Sequence, residues 1–286
     1  MDLHKLKEIY EFEKIKLLKG LERQEKPLAF ILGGQPASGK SKLGTYIQTT
    51  NSDKQFLFVN GDVYRDFHPN AMELKKAPQT FSEKTQIFSN FFTEELIKEA
   101  IKNKYNIIVE GTMRNPQVPL NTAKMFKENG FHVEALAISS PSIFTELGLY
   151  VRYQEEIEFQ GYGRLADINS YYSAVEGIGK SLDALYNEKA VDKIHLHSYQ
   201  GKEHLVTYSL ENNEWNKTIF PSEELYTSRE QQLKNKEIIS DVIKRGDVFF
   251  PKMEIEIKKK VLPLLEELEK QLEKLQQQDK PRGFKR

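Results

Sequence analysis

Residues 28–41 read Leu28-Ala29-Phe30-Ile31-Leu32-Gly33-Gly34-Gln35-Pro36-Ala37-Ser38-Gly39-Lys40-Ser41. The apolar run at 28–32 is typical of a strand buried on both faces, and residues 42–47 follow with a helix-like pattern. From residue 34 the stretch matches G-x-x-x-x-G-K-[ST], in the strand–loop–helix context that this phosphate-binding motif needs. Glycines let backbone N–H groups converge on one point, and the helix N-terminus adds partial positive charge there. The stretch therefore predicts an α/β fold of the P-loop NTPase type.

The same loop predicts a nucleotide site. We expect the nucleotide to contact Gly34, Gln35, Pro36, Ala37, Ser38, Gly39, Lys40 and Ser41. Lys40 is expected to reach the β- and γ-phosphates, and the Ser41 hydroxyl is expected to bind Mg²⁺. The alternative, a glycine-rich turn with a chance Lys-Ser pair, does not account for the strand and the helix on either side.

A second Gly-Lys-Ser occurs at residues 179–181. Ala174 stands where the first glycine of the motif belongs, and no apolar strand precedes it. We interpret this stretch as helix surface or a break in a helix, and not as a second phosphate site.

Four further apolar runs predict the other strands of the sheet. They lie at residues 56–59, 105–109, 133–138 and, more weakly, 193–197. Helix-like stretches lie near residues 41–50, 82–103, 119–129 and 142–159. Strands that alternate with helices at this spacing indicate βαβ units. The sequence therefore predicts a mostly parallel sheet flanked by helices, with a helical C-terminal extension.

The two ends of the chain differ from this pattern. Residues 1–26 carry apolar side chains near helical spacing, and Lys26-Pro27 is expected to end that helix. Residues 202–219 alternate like a small antiparallel hairpin around Asn212-Asn213, and the chain is charge-rich and helical from about 222 onward. We therefore predict a P-loop domain over 1–221, including the N-terminal helix, and a helical extension over 222–286.

Five apolar residues recur at 4-3-4-3 spacing near the C-terminus, at Val261, Leu265, Leu268, Leu272 and Leu275. Such a stripe is the buried side of an amphipathic helix or the seam of a coiled coil, and we favour packing against the same chain. A proline at 263 is expected to interrupt or kink the start of this helix. The polar tail over 276–286 is expected to fray.

The composition excludes several classes of protein. The 286 residues include 42 Lys+Arg, 42 Asp+Glu and no cysteine, which excludes a disulfide scaffold, a thiolate metal site and a cysteine nucleophile. Zero net charge argues against a nucleic-acid partner, since proteins that bind nucleic acid are usually basic. The N-terminus has no apolar signal region, and no apolar run approaches the ~20 residues that span a bilayer. We expect a soluble, cytoplasmic protein without a membrane partner.

Two carboxylates follow predicted strands. Asp62 comes after the run 56–59, which we place beside the phosphate-loop strand, and Glu110 follows the run 105–109. Ligands of open α/β sheets bind at the carboxyl ends of the strands, so both side chains are expected near Lys40. One carboxylate could accept the proton of an acceptor hydroxyl during phosphoryl transfer, and the other could hold metal-bound water or orient a partner. The alternative for Asp62 is a cap on the next helix.

Three arginines are candidates for binding anions. Arg114, just beyond the third predicted strand, could clamp an anionic substrate. Arg164 is flanked by glycines in the stretch 161–164, as in a mobile lid that brings a guanidinium onto the γ-phosphate, and we group Arg152 with it. The alternative for Arg152 is an ion pair with an acidic neighbour at 155 or 156 on a helix surface.

His195 and His197 lie on one face of a predicted strand. A metal site would need a third ligand that the sequence does not offer. We therefore favour a pair of histidines whose hydrogen bonds are satisfied within the sheet.

In order along the chain, these motifs resemble those of the zeta toxins, the kinase half of epsilon–zeta toxin–antitoxin pairs. The resemblance runs from about Pro27 to about residue 200. It rests on the loop at 32–41, on Asn60-Gly61-Asp62-x-Tyr64-Arg65-x-x-His68-Pro69, on Ser89-Asn90-x-x-Thr93-Glu94, on Val109-Glu110-Gly111-Thr112-x-Arg114, and on Val118-Pro119-x-x-Thr122-Ala123. These motifs are far more specific together than the phosphate loop alone.

The resemblance implies a kinase that uses ATP and Mg²⁺ to phosphorylate the 3′-hydroxyl of the amino sugar of UDP-N-acetylglucosamine, which blocks an early step of peptidoglycan synthesis. It implies that Asp62 is the catalytic base and that Lys40, Arg152 and Arg164 hold the triphosphate. It places Glu94, Glu110, Thr112, Arg114 and Thr122 at substrate-binding positions. It also implies a small helical antitoxin that blocks the nucleotide site, and residues 1–221 are then the kinase domain.

The sequence departs from the family at some positions. Ala37 stands where a second loop glycine is common, and Gly61-Asp62 replaces a more acidic run. Two other functions stay open: a P-loop kinase for another small-molecule or polynucleotide hydroxyl, and a nucleotide-dependent switch or binding protein. The carboxylates at 62 and 94 argue against a switch, which needs no groups on the acceptor side.

Overall fold

A computed structural model describes residues 3–278 of the chain. The strands are β1 (Leu28–Gly33), β2 (Leu57–Asn60), β3 (Ile107–Glu110), β4 (His132–Ile138), β5 (Lys193–His197), β6 (His204–Glu211) and β7 (Glu214–Trp215). The helices are α1 (Leu3–Leu17), α2 (Lys40–Thr50), α3 (Gly61–Tyr64), α4 (Ala71–Leu74), α5 (Pro78–Lys84), α6 (Gln86–Asn103), α7 (Gln117–Glu128), α8 (Ser142–Gln160), α9 (Ile168–Asn187), α10 (Pro221–Gln232), α11 (Lys236–Phe249) and α12 (Ile255–Gln278). Short 3₁₀ turns lie at Arg65–Phe67, Tyr199–Gly201 and Phe250–Lys252. The tail predicted to fray over 276–286 continues α12 as far as Gln278, and its remaining residues lie outside the described part of the chain.

The strands form one sheet in the order β2-β3-β1-β4-β5-β6-β7. Strands β1 to β5 pair in parallel, and β6 and β7 add antiparallel at one edge. The predicted α/β fold, a mostly parallel sheet flanked by helices, is confirmed. The predicted hairpin is also present, and its turn at Asn212 and Asn213 has φ values of 51° and 64°, as a two-residue type I′ turn requires.

The position of β2 in the sheet differs from the prediction. β3 lies between β1 and β2, so the strand that precedes Asp62 is not beside the phosphate-loop strand. The inner place suits β3 because Ile107 and Ile108 are both fully buried, whereas β2 alternates buried and half-buried residues. The strand ends still meet at one edge, since Glu110 pairs with Asn60 on one side and with Leu32 on the other.

Apolar side chains on both faces of the sheet hold the helices. On one face, Ile31 belongs to a large core shared with α1, α6, α7, α9 and α10. On the other face, Phe30 and Leu32 pack with Leu43 and Ile47 of α2. Burying such a side chain contributes roughly 1.5–3 kcal/mol. β1 and α2 are therefore fixed on either side of the glycine-rich loop.

A separate core joins the C-terminal helices to α8. Its buried members include Leu147 of α8, Ile239 of α11, and Val261, Leu265 and Leu268 of α12. The apolar stripe that begins at Val261 thus packs against the same chain, and this prediction is confirmed. α12 runs through residue 263 without interruption, so the predicted interruption is wrong, and the alternative, a kink at the proline, stays a prediction. The division into units 1–221 and 222–286 stays a prediction.

No helix within residues 3–278 is long and apolar enough to cross a membrane.

Two helices differ from their predictions. The helix predicted over 1–26 ends at Leu17, because the chain turns at Gly20, whose φ is +81°. The second Gly-Lys-Ser lies inside α9, so the predicted break is wrong; Lys180 is exposed on the helix surface, as the alternative predicts, whereas Gly179 and Ser181 are buried. Gly177 is buried, and a Cβ on it would lie 2.1 Å from the carbonyl oxygen of Arg114. Gly177 lets α9 approach the loop that follows β3, and Gly179 lets it approach Tyr226 and Ser222 of α10.

Candidate active site

The phosphate loop runs from the end of β1 to the start of α2. Gly39 has a φ of 99° and Ala37 a φ of 63°, so the backbone passes twice through the left-handed region. A Cβ on Gly34 would lie 2.6 Å from Ser38 Oγ and 2.9 Å from Lys40 Cγ, so only glycine lets the loop close this tightly. Ser38 Oγ is buried and has no hydrogen-bond partner among the described residues. The loop therefore fits a ligand with acceptor oxygens, such as phosphate.

Lys40 folds back over the loop. Its ammonium donates to the carbonyl oxygens of Gly34, at 2.8 Å, and Gln35, at 3.1 Å. Burial lowers the pKa of Lys40 to about 8, against the opposing charges of Glu110 and Asp62. An anion bound beside this ammonium would favour its charged form.

Neighbouring segments fix the phosphate loop through hydrogen bonds. Gln35 is fully buried, and its amide nitrogen donates to the carbonyl of Ser140 at 2.9 Å and to Thr145 Oγ1 at 3.1 Å. Arg229 Nη2, on α10, donates to Gln35 Oε1 at 3.3 Å. The backbone N–H of Gln200, in the 3₁₀ turn after β5, donates to the carbonyl of Ser38 at 2.9 Å. The loop conformation is thus fixed by segments far away in the sequence.

Asp62 lies in the first turn of α3. The side chain of Asn60 accepts a 2.9 Å hydrogen bond from the backbone N–H of Asp62, so the helix cap is Asn60 and not Asp62. The carboxylate of Asp62 accepts from Arg65 Nε at 2.9 Å. Arg164 Nη1 lies 3.5 Å from the backbone oxygen of Asp62. Because the Asp62 side chain is 62% exposed, an acceptor can reach it.

The pKa values of the two carboxylates shift in opposite directions. Loss of hydration acts to raise the pKa of Asp62, but the hydrogen bond from Arg65 and the charges of two further arginines outweigh it and lower that pKa. Burial raises the pKa of Glu110, against the opposing charge of Lys40. Environments that separate the pKa values of two nearby carboxylates let them take different roles. The lowered pKa favours the ionised form of Asp62, which is the form that can accept a proton.

Glu156 connects the two arginines of the α8 region. Its carboxylate lies 3.7 Å from Arg152 Nε, the i,i+4 pair that the helix-surface alternative predicts, and it accepts a 2.6 Å hydrogen bond from the backbone N–H of Arg164. Arg152 Nε is nevertheless buried and makes no hydrogen bond within the described part of the chain. A buried N–H without a partner is costly. A phosphate oxygen would satisfy it.

Helix α6 borders the turn that carries Asp62. A Cβ on Gly61 would lie 2.4 Å from Ser89 Oγ and 3.3 Å from Thr93 Oγ1, so the two segments touch. Glu94 follows Thr93 on α6 and is exposed. The motif at 89–94 is therefore brought beside the candidate base, although it lies in a different element.

The remaining predicted substrate residues lie beyond β3. Thr112 is half-buried and Arg114 is exposed, on either side of the buried Met113, which fills the space beside Gly33. Thr122 is half-buried on α7 and donates its hydroxyl to the carbonyl of Val118 at 2.8 Å. Within residues 3–278, no hydrogen bond or ion pair joins Lys40 or the Asp62 carboxylate to the side chains at 94, 112, 114 and 122. The roles of these four stay predictions.

Tyr162 connects the segment after α8 to the acceptor side. Its hydroxyl accepts from Lys75 Nζ at 3.0 Å, and the same ammonium lies 4.7 Å from the centre of the Tyr162 ring. Lys75 also pairs with Asp66, at 3.1 Å. A cavity of about 500 Å³ opens beside this contact and is lined by residues of both sides, among them Tyr153 and Met72. The contacts of Tyr162 with Lys75 thus connect the segment 161–164 to the short helices that follow Asp62.

The two histidines of β5 belong to no group of three or more His, Asp or Glu that is arranged to hold a metal ion among the described residues. His195 Nε2 contacts Glu134 at 3.0 Å and its Nδ1 contacts Thr207 at 2.8 Å. His197 is buried, and its Nε2 has no partner in the described part of the chain. The favoured interpretation therefore holds for His195 alone.

For Mg²⁺, the exposed hydroxyl of Ser41 at the start of α2 is the fitting ligand, because Mg²⁺ keeps several waters and binds substrate phosphates.

Four residues of this site were not singled out from the sequence. Arg65 lies at i,i+3 from Asp62, so the helical spacing of opposite charges was an available signal. Glu156 accepts from the backbone N–H of Arg164, whereas the sequence predicts it only as a surface partner of Arg152. Gln200 and Arg229 contact the phosphate loop from 163 and 194 positions away, and no local pattern predicts such pairs.

Comparisons with known proteins point to one family. The family model described as Zeta toxin matches residues 14–212. Toxin zeta of Enterococcus hirae is 29% identical over 224 residues, which cover 78% of this chain and 76% of that protein. Toxin PezT of Streptococcus pneumoniae is 30% identical over 140 residues, which cover 49% of this chain and 55% of that protein.

Solved structures share the fold. A structure of the PezAT chromosomal toxin–antitoxin system of Streptococcus pneumoniae matches with a TM-score of 0.68 at 20% identity, covering 96% of this chain and 98% of that one. A structure of AvrRxo1-ORF1:-ORF2 with ATP matches with a TM-score of 0.53 at 16% identity, covering 94% and 88%. At these identities the likeness establishes the fold alone.

Proposed function

This chain belongs to the Zeta toxin family, and we propose that it is an ATP-dependent kinase that phosphorylates the 3′-hydroxyl of the amino sugar of UDP-N-acetylglucosamine. The protein would then act as a toxin that interferes with peptidoglycan synthesis. One observation carries the proposal: an exposed carboxylate, Asp62, lies at the same sheet edge as the ammonium of Lys40, close enough that its charge acts to raise the pKa of Lys40. A phosphate site beside a base is what phosphoryl transfer to a hydroxyl needs.

The nucleotide would bind over the loop at 34–41. Lys40 would exchange its two carbonyl acceptors for phosphate oxygens, and Arg152 Nε would gain the acceptor that it lacks. Arg164 would join them from the segment after α8, and Ser41 would bind Mg²⁺. When bound, Mg-ATP supplies the phosphoryl group, and the metal neutralises part of its charge.

The acceptor would bind on the side of Asp62. The carboxylate would accept the proton of the 3′-hydroxyl while the hydroxyl oxygen forms its bond to the γ-phosphorus and the bond from phosphorus to the ADP oxygen breaks. General-base assistance of this kind contributes about 10²–10⁴-fold. Glu94, Glu110, Thr112, Arg114 and Thr122 would bind the UDP-sugar, and Arg114 suits its diphosphate because a guanidinium binds such oxygens in pairs.

The test is to incubate the purified protein with Mg-ATP and a panel of UDP-sugars, nucleosides and aminoglycosides, and to measure by mass spectrometry which compound gains one phosphoryl group. We expect UDP-N-acetylglucosamine to gain it, Asp62→Asn to lose the transfer while still binding ATP, and Asp53→Asn to stay active. Asp53 is the matched control, since its exposed carboxylate pairs with the neighbouring Lys54. Transfer to another acceptor would overturn the proposed substrate. ATP hydrolysis without a modified acceptor would favour the switch.

An antitoxin partner forms part of the same proposal. The solved chains that share this fold include one described with the PezAT toxin–antitoxin system and one described with AvrRxo1-ORF1:-ORF2 and ATP. We propose a small helical antitoxin that covers the nucleotide site. Co-purification with a protein encoded beside this one, together with loss of ATP binding in the complex, would support it. A complex that binds ATP as well as the free chain does would contradict it.

A further inference from the structure

Arg65 is a buried arginine that uses every nitrogen of its guanidinium. It is only 7% exposed. Nε donates to Asp62 Oδ1 at 2.9 Å, Nη1 donates to the carbonyl of Ser82 at 2.6 Å and to Thr85 Oγ1 at 3.3 Å, and Nη2 donates to Gln86 Oε1 at 3.0 Å. A guanidinium held at three corners has little freedom to turn, because its fork is rigid and planar.

The partners of Arg65 belong to different elements. Ser82 lies on α5, Gln86 begins α6, and Thr85 joins these helices with a fully buried side chain. The amide nitrogen of Gln86 in turn donates to Asn90 Oδ1 at 2.6 Å. A continuous series of hydrogen bonds therefore runs from the candidate base through Arg65 to the α6 motif that is predicted to bind the acceptor.

Other charged groups also surround Asp62, but none of them bonds its carboxylate. Arg152 on α8, Arg164 after α8, Lys40 on α2 and Glu110 on β3 act on it through their charge. Within residues 3–278, Arg65 is the one residue that hydrogen-bonds this carboxylate, and it bonds Oδ1 and leaves Oδ2 without a donor.

We infer that Arg65 is a positioning residue: it fixes the plane of the Asp62 carboxylate relative to α6, so that Oδ2 points to a hydroxyl of an acceptor bound there. Its part in phosphoryl transfer rests on the proposed function of Asp62. Its part in holding the carboxylate does not, and the two can be measured separately.

The first measurement is a ¹³C NMR titration of the Asp62 carboxyl, assigned by its loss in Asp62→Asn. In Arg65→Met the pKa of Asp62 should rise, because the hydrogen bond that stabilises its ionised form is gone. Arg245→Met is the matched control, since it removes an arginine that pairs with Glu155 on the surface and should leave the titration unchanged. An unchanged titration in folded Arg65→Met would overturn the inference. This readout needs no substrate, so it stands even if Asp62→Asn proves active.

The second measurement separates position from charge. Lysine keeps the positive charge but is a single point donor that cannot hold three partners. Arg65→Lys should therefore keep the pKa of Asp62 low while kcat falls about 100-fold, with the KM for ATP unchanged, as expected when a reacting group is misplaced. Full kcat in Arg65→Lys would show that charge alone suffices and would overturn positioning. If Arg65→Met does not fold, Gln86→Leu, which keeps Arg65 but removes the Nη2 acceptor and the hydrogen bond to Asn90, should still lower kcat; an unaltered kcat there would count against the inference.

Discussion

Arg229 donates a 3.3 Å hydrogen bond to Gln35, so a helix of the C-terminal third contacts the phosphate loop 194 positions earlier in the chain. The same guanidinium donates to the carbonyl of Val175 on α9 at 3.3 Å. Gln35 is fully buried, so it has no water to replace a lost partner. Helix α10 is therefore connected directly to the candidate nucleotide site.

This contact predicts that Arg229→Met weakens ATP binding. Loss of the donor leaves Gln35 Oε1 buried and unsatisfied, and a hydrogen bond to a charged group is worth about 1.5–3 kcal/mol. We expect the Kd for ATP, measured by calorimetry, to rise about tenfold or more, since about 1.4 kcal/mol corresponds to tenfold. Arg245→Met, on α11, should bind ATP like the parent. Equal affinities in the two variants would show that α10 does not support the loop.

The hydrogen bond and the cation–π contact between Tyr162 and Lys75 predict a graded effect on the rate of proteolysis within the segment 161–167. Tyr162→Phe removes the hydroxyl but keeps the ring over the ammonium, and a cation–π contact contributes about 0.5–2 kcal/mol. Tyr162→Ala removes both contacts. Limited proteolysis within this segment should therefore be fastest in Tyr162→Ala and intermediate in Tyr162→Phe. If Tyr162→Phe is cleaved as fast as Tyr162→Ala, the ring contact contributes nothing.

The lowered pKa of Lys40 predicts that ATP binding depends on pH. Its charged form binds phosphate, and in the free protein this form is lost as the pH rises through about 8. Affinity should therefore fall above that pH, by up to about tenfold per pH unit. Lys40→Arg keeps its charge throughout this range and should remove the dependence. An identical decline in Lys40→Arg would assign it to another group.

The aromatic cluster under α3 predicts a large effect on stability. Phe92 is fully buried, with ring centres at 5.3 Å from Tyr64 of α3 and 5.2 Å from Tyr10 of α1. Phe92→Ala should lower the free energy of unfolding by about 3–5 kcal/mol in a denaturant titration. Phe159→Ala is the control, because this ring is 93% exposed and its loss should change stability by at most about 0.5 kcal/mol. Comparable losses in both variants would contradict the packing.

Local patterns predicted the parts of the fold whose cause is local. The apolar run at 28–32, the glycines after it and the helix from Lys40 form one unit, because each residue's role depends on near neighbours. The turn at Asn212-Asn213 and the stripe beginning at Val261 are of the same kind. In each of them a spacing of two or of about 3.6 residues fixes which side is buried.

Long-range contacts could not be predicted in the same way. β3 lies between β1 and β2 because of how fully its side chains are buried, and not because of the order of the strands in the chain. Arg65, Gln200 and Arg229 take their roles from elements that meet only in the folded protein. Within the site, the motifs predict Asp62 and Lys40 as candidate residues. The hydrogen bonds that hold these two side chains could be identified only from the structure.

The central claim is that Asp62 activates the 3′-hydroxyl of the amino sugar of UDP-N-acetylglucosamine for attack on ATP. The most direct measurement is the position of the new phosphoryl group, read from the coupling between its phosphorus and the sugar proton at C3 in a two-dimensional ³¹P–¹H NMR spectrum. The account predicts coupling to that proton with the parent protein and no phosphorylated sugar with Asp62→Asn. Coupling to a different proton, or the same product from Asp62→Asn, would contradict it.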